Sequence, residues 1–347
     1  MNFSRQLQEW YIHNRRDLPW RETKDPYFIW ISEVILQQTR VQQGLPYYLR
    51  FIKNFPTIKS LADSSEDKVL KLWQGLGYYS RARNLHATAK DIILNYSGQF
   101  PKDYNSILSL KGIGPYTAAA ISSIAFDLPY AVLDGNVIRV LSRYFSVDIP
   151  YDTMLGKKYF QNLAQDLLLK KDPATYNQAI MEFGALMCTP KSPECPSCIL
   201  KISCKAYINQ EVTVLPVRSK KIKIKNHYIY FFMISNKENV YIQKIKKGIW
   251  KGLYEFPHFD SSKRISKNEV LHGNFLNSLV QSKNFYIHSI SAEYIHKLTH
   301  KKIYATFWNI QIKDFSSNNF LKISLKDLQK YPISRLTEKY LIHMNII

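Results

Sequence analysis

The sequence predicts a mainly α-helical N-terminal domain followed by a smaller α+β domain. Residues 1 to about 205 place apolar side chains three and four positions apart and contain repeated helix-capping signals, as amphipathic helices do. Beyond about residue 226, aromatic and β-branched runs are bounded by polar turns, which is typical of strands. Helices and strands that are segregated in this way indicate two separate folding units.

Particular segments carry these patterns. After Asn136, one predicted helical face holds Val137, Val140, Leu141, Tyr144 and Phe145. Strand signals cover Tyr228 to Ile234, Val240 to Ile242 and Ile303 to Ile312, and helical patterns return at Leu271 to Val280 and Ser334 to Met344. The charged, weakly apolar stretch 216–225 predicts a linker, within a boundary region that we place at 206–225.

Composition bounds the class of protein. With 347 residues, of which 46% are hydrophobic, the chain is long enough for two globular domains. Its 48 Lys and Arg exceed its 27 Asp and Glu, which gives a net charge of +21 and favours a polyanionic partner such as nucleic acid. A lysine-rich genome bias would produce the same surplus, so charge alone does not establish a nucleic-acid partner.

No membrane partner is expected. The first nine residues lack the apolar core of a signal peptide, and the longest apolar run, Tyr228 to Ile234, is too short to span a bilayer. We therefore expect a cytoplasmic protein.

The four cysteines of the chain are clustered. Cys188, Cys195, Cys198 and Cys204 are separated by six, two and five residues, whereas a disulfide framework would scatter them. Four thiolates this close suit either a 4Fe–4S cluster or a tetrahedral zinc ion. Structural zinc usually uses two Cys-x2-Cys arms and this sequence has one, so the spacing favours the iron–sulfur cluster, in a structural role.

A glycine turn lies between two helical patterns. Gly112 and Gly114 permit a tight turn, and Pro115 suits the first turn of the next helix. Backbone N–H groups at such a helix start can grip a phosphate without reading sequence. A plain turn is the simpler interpretation, although the small residues 118–120 favour close helix packing.

Two carboxylates stand out. Glu33 is one of only two polar residues from Tyr27 to Leu36, so burial would raise its pKa and keep a proton available near neutrality. Asp134 precedes a helical pattern, so a helix N-cap is the simpler interpretation. A catalytic role is compatible with it, because a carboxylate held by backbone N–H groups stays ionised. An acid beside an anion is the pairing that splits glycosidic bonds.

Together these features resemble the helix–hairpin–helix DNA glycosylase superfamily with an iron–sulfur loop, and more closely its MutY family of adenine glycosylases. Six ordered motifs carry the resemblance across nearly the whole chain: residues 30–39, residues 75–84, the Gly112 turn, residues 133–136, the four cysteines and residues 250–257. The implied fold is a helical glycosylase domain with an iron–sulfur loop and a C-terminal α+β Nudix-like domain.

The resemblance also implies roles for single residues. Glu33 would protonate the adenine ring and later help to activate water, Asp134 would stabilise the sugar cation, and Tyr116 and Asn136 would line the same pocket. Leu36 and Gln38 would fill or probe the space left by the flipped base, and Tyr78 would wedge beside the lesion. Ordinary core packing is the alternative for each of these fillers.

Tyr116 separates branches of the superfamily. Glycosylase/lyases that resemble endonuclease III carry a Schiff-base lysine there, and a tyrosine cannot form the imine. Lys111 lies on the wrong side of the turn to replace it. We therefore expect a monofunctional enzyme.

The C-terminal domain resembles the module with which this family recognises 8-oxoguanine. It lacks the catalytic Nudix box, so pyrophosphatase activity is not expected. Leu298-Thr299-His300 is the counterpart of the family's Phe-Ser-His loop. Thr299 keeps the hydroxyl, whereas the lost aromatic side chain changes the loop, so we expect the lesion preference to survive in weakened form.

The resulting expectation is a monomeric base excision repair enzyme on nucleoid DNA that removes adenine mispaired with 8-oxoguanine or guanine. Its glycosylase domain would span 1–205, with a six-helix module at 27–137 and an iron–sulfur module made of 1–26 and 138–205. The Nudix-like domain would span 226–347. The alternatives are a pyrimidine or thymine-mismatch glycosylase of the same superfamily and a non-catalytic, DNA-binding or redox-sensing iron–sulfur protein.

Overall fold

The computed structural model describes residues 3–219, 224–236, 238–280, 284–313, 315, 317 and 319–347. The chain divides into two compact units. Unit 1 comprises Met1–Asp63 and Asn84–Lys221, and unit 2 comprises Ser64–Arg83 and Ile222–Ile347.

Helices dominate the chain up to residue 208. In chain order they are α1 Phe3–Asn14, α2 Pro26–Leu36, α3 Val41–Asn54, α4 Ile58–Ala62, α5 Glu66–Trp73, α6 Ser80–Asn95, α7 Tyr104–Ser109, α8 Pro115–Phe126, α9 Gly135–Phe145, α10 Met154–Leu167, α11 Pro173–Leu186 and α12 Lys205–Ile208. Short 3-10 turns lie at Pro19–Arg21 and Cys195–Ser197. Helix α5 belongs to unit 2, and α6 begins in unit 2 and continues into unit 1.

Local sequence explains where the helices of unit 1 begin. Asp25, Thr153 and Asp172 each accept a hydrogen bond from a backbone N–H in the first turn of the helix that they cap. Behind these caps, large apolar side chains are fully buried; they include Trp30, Phe51, Phe55, Phe160 and Phe183. Helix α11 packs against α1, α8 and α9 and is thus the centre of the unit.

The turn between α7 and α8 requires its first glycine. Gly112 has φ +80°, and a Cβ at this position would lie 2.6 Å from Cβ of Asn84. Gly114 caps α8 with an ordinary φ of −97° and has open space around it. Both glycines are exposed, so the predicted helix–hairpin–helix turn presents its backbone to solvent.

Unit 2 is built on a sheet with the order β3-β2-β1-β7-β5, in which β4 also pairs with β1, β6 with β7 and β8 with β2. The strands are β1 Lys225–Asn236, β2 Asn239–Lys244, β3 Tyr254–Glu255, β4 His258–Ser261, β5 Phe285–Ile290, β6 Tyr294–Lys297, β7 Lys301–Ile312 and β8 Leu321–Ser324. The helices are α13 Lys267–Leu271, α14 Asn274–Val280 and α15 Arg335–His343, with a 3-10 turn at Leu325–Lys330. Strands β1 and β7 are parallel, with Phe231 opposite Phe307.

Each face of this sheet is covered. Leu336, Tyr340 and Leu341 of α15 pack in one apolar cluster with alternate side chains of β1 and β7. Val270 and Leu276 belong to the cluster on the other face. Because both faces are buried, β1 has a continuous apolar run rather than an alternating one.

Helix α5 and the loop after it pack with this sheet. Asp67 accepts hydrogen bonds from Lys244 Nζ at 2.6 Å and from the Tyr254 hydroxyl at 3.0 Å. Gln74 Nε2 donates to Glu338 at 2.8 Å. Residues 64–83 are therefore joined to unit 2 by charged and polar contacts with partners more than 170 residues away in the sequence.

The predicted strands and C-terminal helices are confirmed by β1, β2, β7, α14 and α15. The range predicted as a six-helix module holds seven helices, α2 to α8, because a capping box at Thr57 starts the five-residue α4 separately. Residues 220–223 of the predicted linker, and the first two residues of the expected signal-free N-terminus, lie outside the described residues. In the part of the chain that the structure describes, no helix combines the length and apolar character that a membrane crossing needs.

Candidate active site

One cavity of about 410 Å³ in unit 1 gathers all four predicted catalytic residues and two of the predicted DNA-binding residues. We call it the Glu33 cavity. Its lining includes Glu33, Leu36, Gln38, Tyr116, Asp134 and Asn136, together with Arg16, Arg21, Gln178, Met181 and Glu182. Helices α2, α8 and α11 and the N-terminus of α9 therefore converge on it, although their sequences are far apart.

Glu33 is nearly buried, with 8% of its surface exposed. Burial raises the pKa of its carboxyl group to about 7, a hydrogen bond from the Tyr116 hydroxyl lowers it, and the charge of Asp134 raises it. The apolar segment of α2 thus has the predicted consequence, since near neutrality a large fraction of Glu33 keeps its proton.

Asp134 is the N-cap of α9. Its Oδ1 accepts from the backbone N–H groups of Asn136 at 2.9 Å and Val137 at 2.8 Å, and its Oδ2 accepts from Asn136 Nδ2 at 2.7 Å. Burial raises the pKa of Asp134 above its ordinary value, while these three donors lower it. The donors favour the ionised form, as expected, but burial outweighs them, which the sequence argument did not anticipate.

Tyr116 lies in the first turn of α8, directly after the glycine turn. Its hydroxyl contacts Met181 Sδ at 3.2 Å as well as the Glu33 carboxyl group. Burial and the neighbouring Glu33 and Asp134 charges raise the pKa of this phenol well above its ordinary value. Tyr116 is therefore a neutral hydrogen-bonding group at the site and offers no amine.

Arg139 is a site residue that the sequence analysis missed. Its guanidinium donates to Asn136 Oδ1 at 2.9 Å, to the Gly184 carbonyl at 2.6 Å and to the Cys188 carbonyl at 2.7 Å. It thereby fixes the amide that orients Asp134. The available signal was its spacing, three residues after Asn136 on the same predicted helix.

Asn177 was also missed. This fully buried amide accepts from the Val132 N–H at 3.2 Å and donates to the Tyr130 carbonyl at 2.8 Å. These bonds anchor to α11 the extended segment that leads into Asp134. No local pattern marks Asn177, because its partners come from another part of the chain.

Glu182 is the third carboxylate in the cavity wall. It is 1% exposed, and its two oxygens accept from the guanidinium groups of Arg16 and Arg21 at 2.6 to 3.0 Å. Burial raises the pKa of Glu182, but the hydrogen bonds from Arg16 and Arg21 outweigh burial and bring the pKa down to about 2. Glu182 is therefore an ionised anchor that ties the N-terminal segment to α11.

Two predicted filler residues, Leu36 and Gln38, line the Glu33 cavity. Leu36 ends α2 and is half-buried, whereas Gln38 is exposed and has φ +58°, a region that side-chain-bearing residues rarely adopt. This strained backbone conformation of Gln38 is typical of functional positions.

The predicted DNA-binding glycines lie elsewhere. Gly112 and Gly114 are not among the cavity-lining residues and lie on the exposed turn before α8.

Tyr78 and Thr299 belong to unit 2. Tyr78 is 54% exposed, has φ +47°, and lies under the guanidinium of Arg81. Thr299 is exposed in the short turn between β6 and β7, where the Leu298 N–H donates to the Lys301 carbonyl at 2.8 Å. Their predicted roles stay predictions.

All four cysteines line a second small cavity in unit 1 of about 30 Å³. Arg143 is buried beside it and donates to Cys188 Sγ at 3.5 Å and to the Thr189 carbonyl at 2.8 Å. The Leu200 N–H donates to Cys198 Sγ at 3.4 Å. Sulfur atoms that converge on one space and accept N–H hydrogen bonds suit the sulfur ligands of a metal cluster.

Comparisons with known proteins identify the fold class of both parts of the chain. Residues 31–173 match the HhH-GPD superfamily of base excision DNA repair proteins, and residues 229–343 match the NUDIX domain, which confirms the predicted fold class. A solved thermostable thymine-DNA glycosylase superposes with a TM-score of 0.56 at 30% identity, covering 60% of this chain and 95% of its own.

Two curated relatives are similar over nearly the full length. The adenine DNA glycosylase of Buchnera aphidicola subsp. Baizongia pistaciae is 40% identical over 91% of this chain and 89% of its own. The adenine DNA glycosylase of Buchnera aphidicola subsp. Acyrthosiphon pisum is 36% identical over 98% of this chain and 96% of its own. The chain belongs to the adenine DNA glycosylase family.

Proposed function

We propose that this protein is a monofunctional DNA glycosylase that hydrolyses the N-glycosidic bond of adenine mispaired with 8-oxoguanine or guanine. The observation that carries the proposal is the pairing of Glu33 and Asp134 in one cavity. Burial gives Glu33 a pKa of about 7, and three N–H groups favour the ionised form of Asp134. The near full-length similarity to adenine DNA glycosylases supports adenine as the substrate base.

The two carboxyl groups divide the chemistry. Protonated Glu33 gives its proton to a ring nitrogen of the flipped adenine as the bond from C1′ to nitrogen breaks, and the bonding electron pair leaves with the base. Asp134 faces the positive charge that develops on the sugar. A water molecule then adds to C1′ and returns a proton to Glu33, which restores the starting state.

Tyr116 supports the monofunctional assignment. Strand cleavage by a lyase needs an amine that forms an imine with the sugar, and the phenol of Tyr116 cannot supply one. Its hydroxyl instead contacts the Glu33 carboxyl group and helps to hold the acid in place.

Binding to duplex DNA is assigned to three sets of residues. The turn at Gly112 and Gly114 presents backbone N–H groups to a phosphate at the start of α8. Leu36 and Gln38, which line the Glu33 cavity, are suited to fill or probe the space that the flipped adenine leaves. In unit 2, the exposed Tyr78 with its strained backbone would wedge beside the lesion.

The cysteine cavity would hold a 4Fe–4S cluster through Cys188, Cys195, Cys198 and Cys204. A single zinc ion needs thiolates about 3.8 Å apart, from a Zn–S bond of about 2.3 Å. Within the described ranges of the chain, no three Cys, His, Asp or Glu side chains are arranged to hold one ion. The six-, two- and five-residue gaps between the four cysteines, which line one small cavity, suit a larger cluster, which when bound would stabilise the fold of this loop.

Unit 2 would provide lesion recognition. The Thr299 hydroxyl lies at an exposed turn, where it can donate to or accept from an 8-oxoguanine, as a weakened counterpart of the family's loop. We assign the glycosylase domain to 1–205 and the Nudix-like domain to 226–347. The proposed enzyme acts as a monomer on nucleoid DNA in the cytoplasm.

The thymine-DNA glycosylase with a similar fold makes thymine mismatches the second candidate. That protein corresponds to only 60% of this chain, whereas the adenine enzymes correspond to more than 90% of it. The match beyond the helical domain favours adenine.

The test is single-turnover cleavage of duplexes that carry adenine opposite 8-oxoguanine, adenine opposite guanine, thymine opposite guanine, or an oxidised pyrimidine. Each product is read with and without alkali. Adenine loss with strand breaks only after alkali is expected. Breaks at a pyrimidine lesion without alkali, or thymine removal in place of adenine removal, would contradict the proposal.

A further inference from the structure

A third cavity, of about 380 Å³, lies next to the Glu33 cavity in unit 1. We call it the Tyr11 cavity; its lining includes Tyr11, Ile12, Arg15, Lys24, Ala174 and Thr175. Arg21, Ile124 and Gln178 line both cavities. The two spaces are therefore neighbours, and these three side chains form the wall that they share.

The three wall residues are held with very different strength. Arg21 donates to both oxygens of Glu182 and to the Arg16 carbonyl, so its guanidinium is fixed. Ile124 is an apolar side chain near the end of α8. Gln178 has one side-chain hydrogen bond among the described residues, in which its Oε1 accepts from the Tyr11 hydroxyl at 2.5 Å. Gln178 can thus turn aside for the loss of a single hydrogen bond.

We propose that the Tyr11 cavity is an exit site for the excised purine base and that Gln178 is its gate. This inference rests on the proposed adenine glycosylase activity. After cleavage, the mouth by which the adenine entered is occupied by the DNA from which it was cut. A second opening would let the free base leave while the abasic DNA stays bound.

The chemistry of the wall fits a free purine. A glutamine amide presents one donor and one acceptor, which pair with the N6 and N7 positions of adenine. Tyr11 and Ile124 supply apolar surface for the faces of the ring. Both cavities have the size of ordinary small-molecule sites. A departing adenine could therefore exchange contacts at the wall without losing all of its partners at once.

The test blocks the Tyr11 cavity without touching the Glu33 cavity. Ala174→Trp and, independently, Thr175→Phe add bulk at residues that line the Tyr11 cavity and not the Glu33 cavity. Ala174→Ser and Thr175→Val are the matched controls. Thermal unfolding of each variant verifies that it folds.

The substrate is a duplex with tritiated adenine opposite 8-oxoguanine, mixed with excess enzyme. Alkali-quenched strand scission times bond cleavage, and passage of label through a nitrocellulose filter that retains the protein–DNA complex times base release. We expect both blocked variants to cleave within about twofold of wild type but to release the base about tenfold more slowly, so that release becomes the slow step.

Base release at the wild-type rate from a folded blocked variant would overturn the inference. A delay in release that is matched by an equal delay in cleavage would overturn it too, because the Tyr11 cavity would then serve the chemical step. Failure of the wild-type enzyme to cut adenine at all would reject the proposed function itself, and that result is read from the scission arm alone.

Discussion

Two glutamates in the wall of the same cavity have opposite electrostatic environments. Glu33 and Glu182 are both buried in apolar helical segments, yet the pKa of Glu33 is raised to about 7 and that of Glu182 is lowered to about 2. The difference comes from their partners. Glu33 has a neutral phenol beside it, whereas Glu182 faces two guanidinium groups.

The two environments have opposite consequences for stability. Relative to an ordinary value of 4.5, each shift corresponds to roughly 3 kcal/mol. The contribution of Glu33 to the free energy of unfolding is most favourable below pH 4.5 and is lost as the pH rises through 7. For Glu182, stability is present above pH 4.5 and is lost as the pH falls towards 2. Near neutrality, the burial that keeps Glu33 protonated therefore destabilises the fold, whereas the ionised Glu182 stabilises it.

The largest expected effect is that of Glu33→Gln on chemistry. The amide cannot donate a proton to the leaving base, so single-turnover cleavage should fall by about 10²- to 10⁴-fold with DNA affinity retained. Urea unfolding at pH 8 should show a gain of up to roughly 3 kcal/mol, which shrinks towards pH 4.5. A Glu33→Gln protein that cleaves at the wild-type rate would contradict the assignment of Glu33 as the acid.

Glu182→Gln should have the reverse profile. Removing the anion leaves the guanidinium groups of Arg16 and Arg21 without their counter-charge, so unfolding at pH 7 should show a loss of about 3 kcal/mol. The loss should shrink as the pH falls below 4.5. Glu22→Gln, which removes an exposed carboxylate with a single contact at 3.7 Å to Arg15, is the control and should change little. Equal effects of the two substitutions would contradict the assigned role of Glu182.

A smaller effect extends the comparison to the remaining carboxylate of the cavity wall, Asp134. Arg139→Gln would remove the donors to Asn136 Oδ1 and to the Gly184 and Cys188 carbonyls. The amide that orients Asp134 would then be freed, and cleavage should fall about tenfold with DNA binding unchanged. Arg5→Gln, at an exposed position on α1, is the control. Wild-type cleavage by a folded Arg139→Gln protein would exclude this positioning role.

The comparison also shows how far sequence reasoning reaches. Glu33 was found because it is a lone carboxylate in an apolar helical segment. Glu182 carries the same signal between Met181 and Phe183 and was missed, because its arginine partners lie more than 160 residues earlier in the chain. Local patterns indicate that a charge is buried, but tertiary contacts decide whether it is protonated.

The fold, too, was predicted where local residues determine it and not where distant contacts do. Helices and strands with clear periodicity, such as α9, β1 and β7, were predicted from local residues. The packing of α5 with unit 2 was not foreseen, since it depends on Asp67 meeting Lys244 and Tyr254. Similarly, the four cysteines were predicted to lie together, but the buried Arg143 beside them has no local signal.

The most direct test of the account is the pH dependence of adenine excision under single-turnover conditions. If protonated Glu33 is the acid, the wild-type rate should fall by about tenfold per pH unit above about 7, while Glu33→Gln stays slow and flat. A wild-type rate that holds constant up to pH 9, or a Glu33→Gln protein with the same decline as wild type, would contradict the assignment of Glu33 as the proton donor.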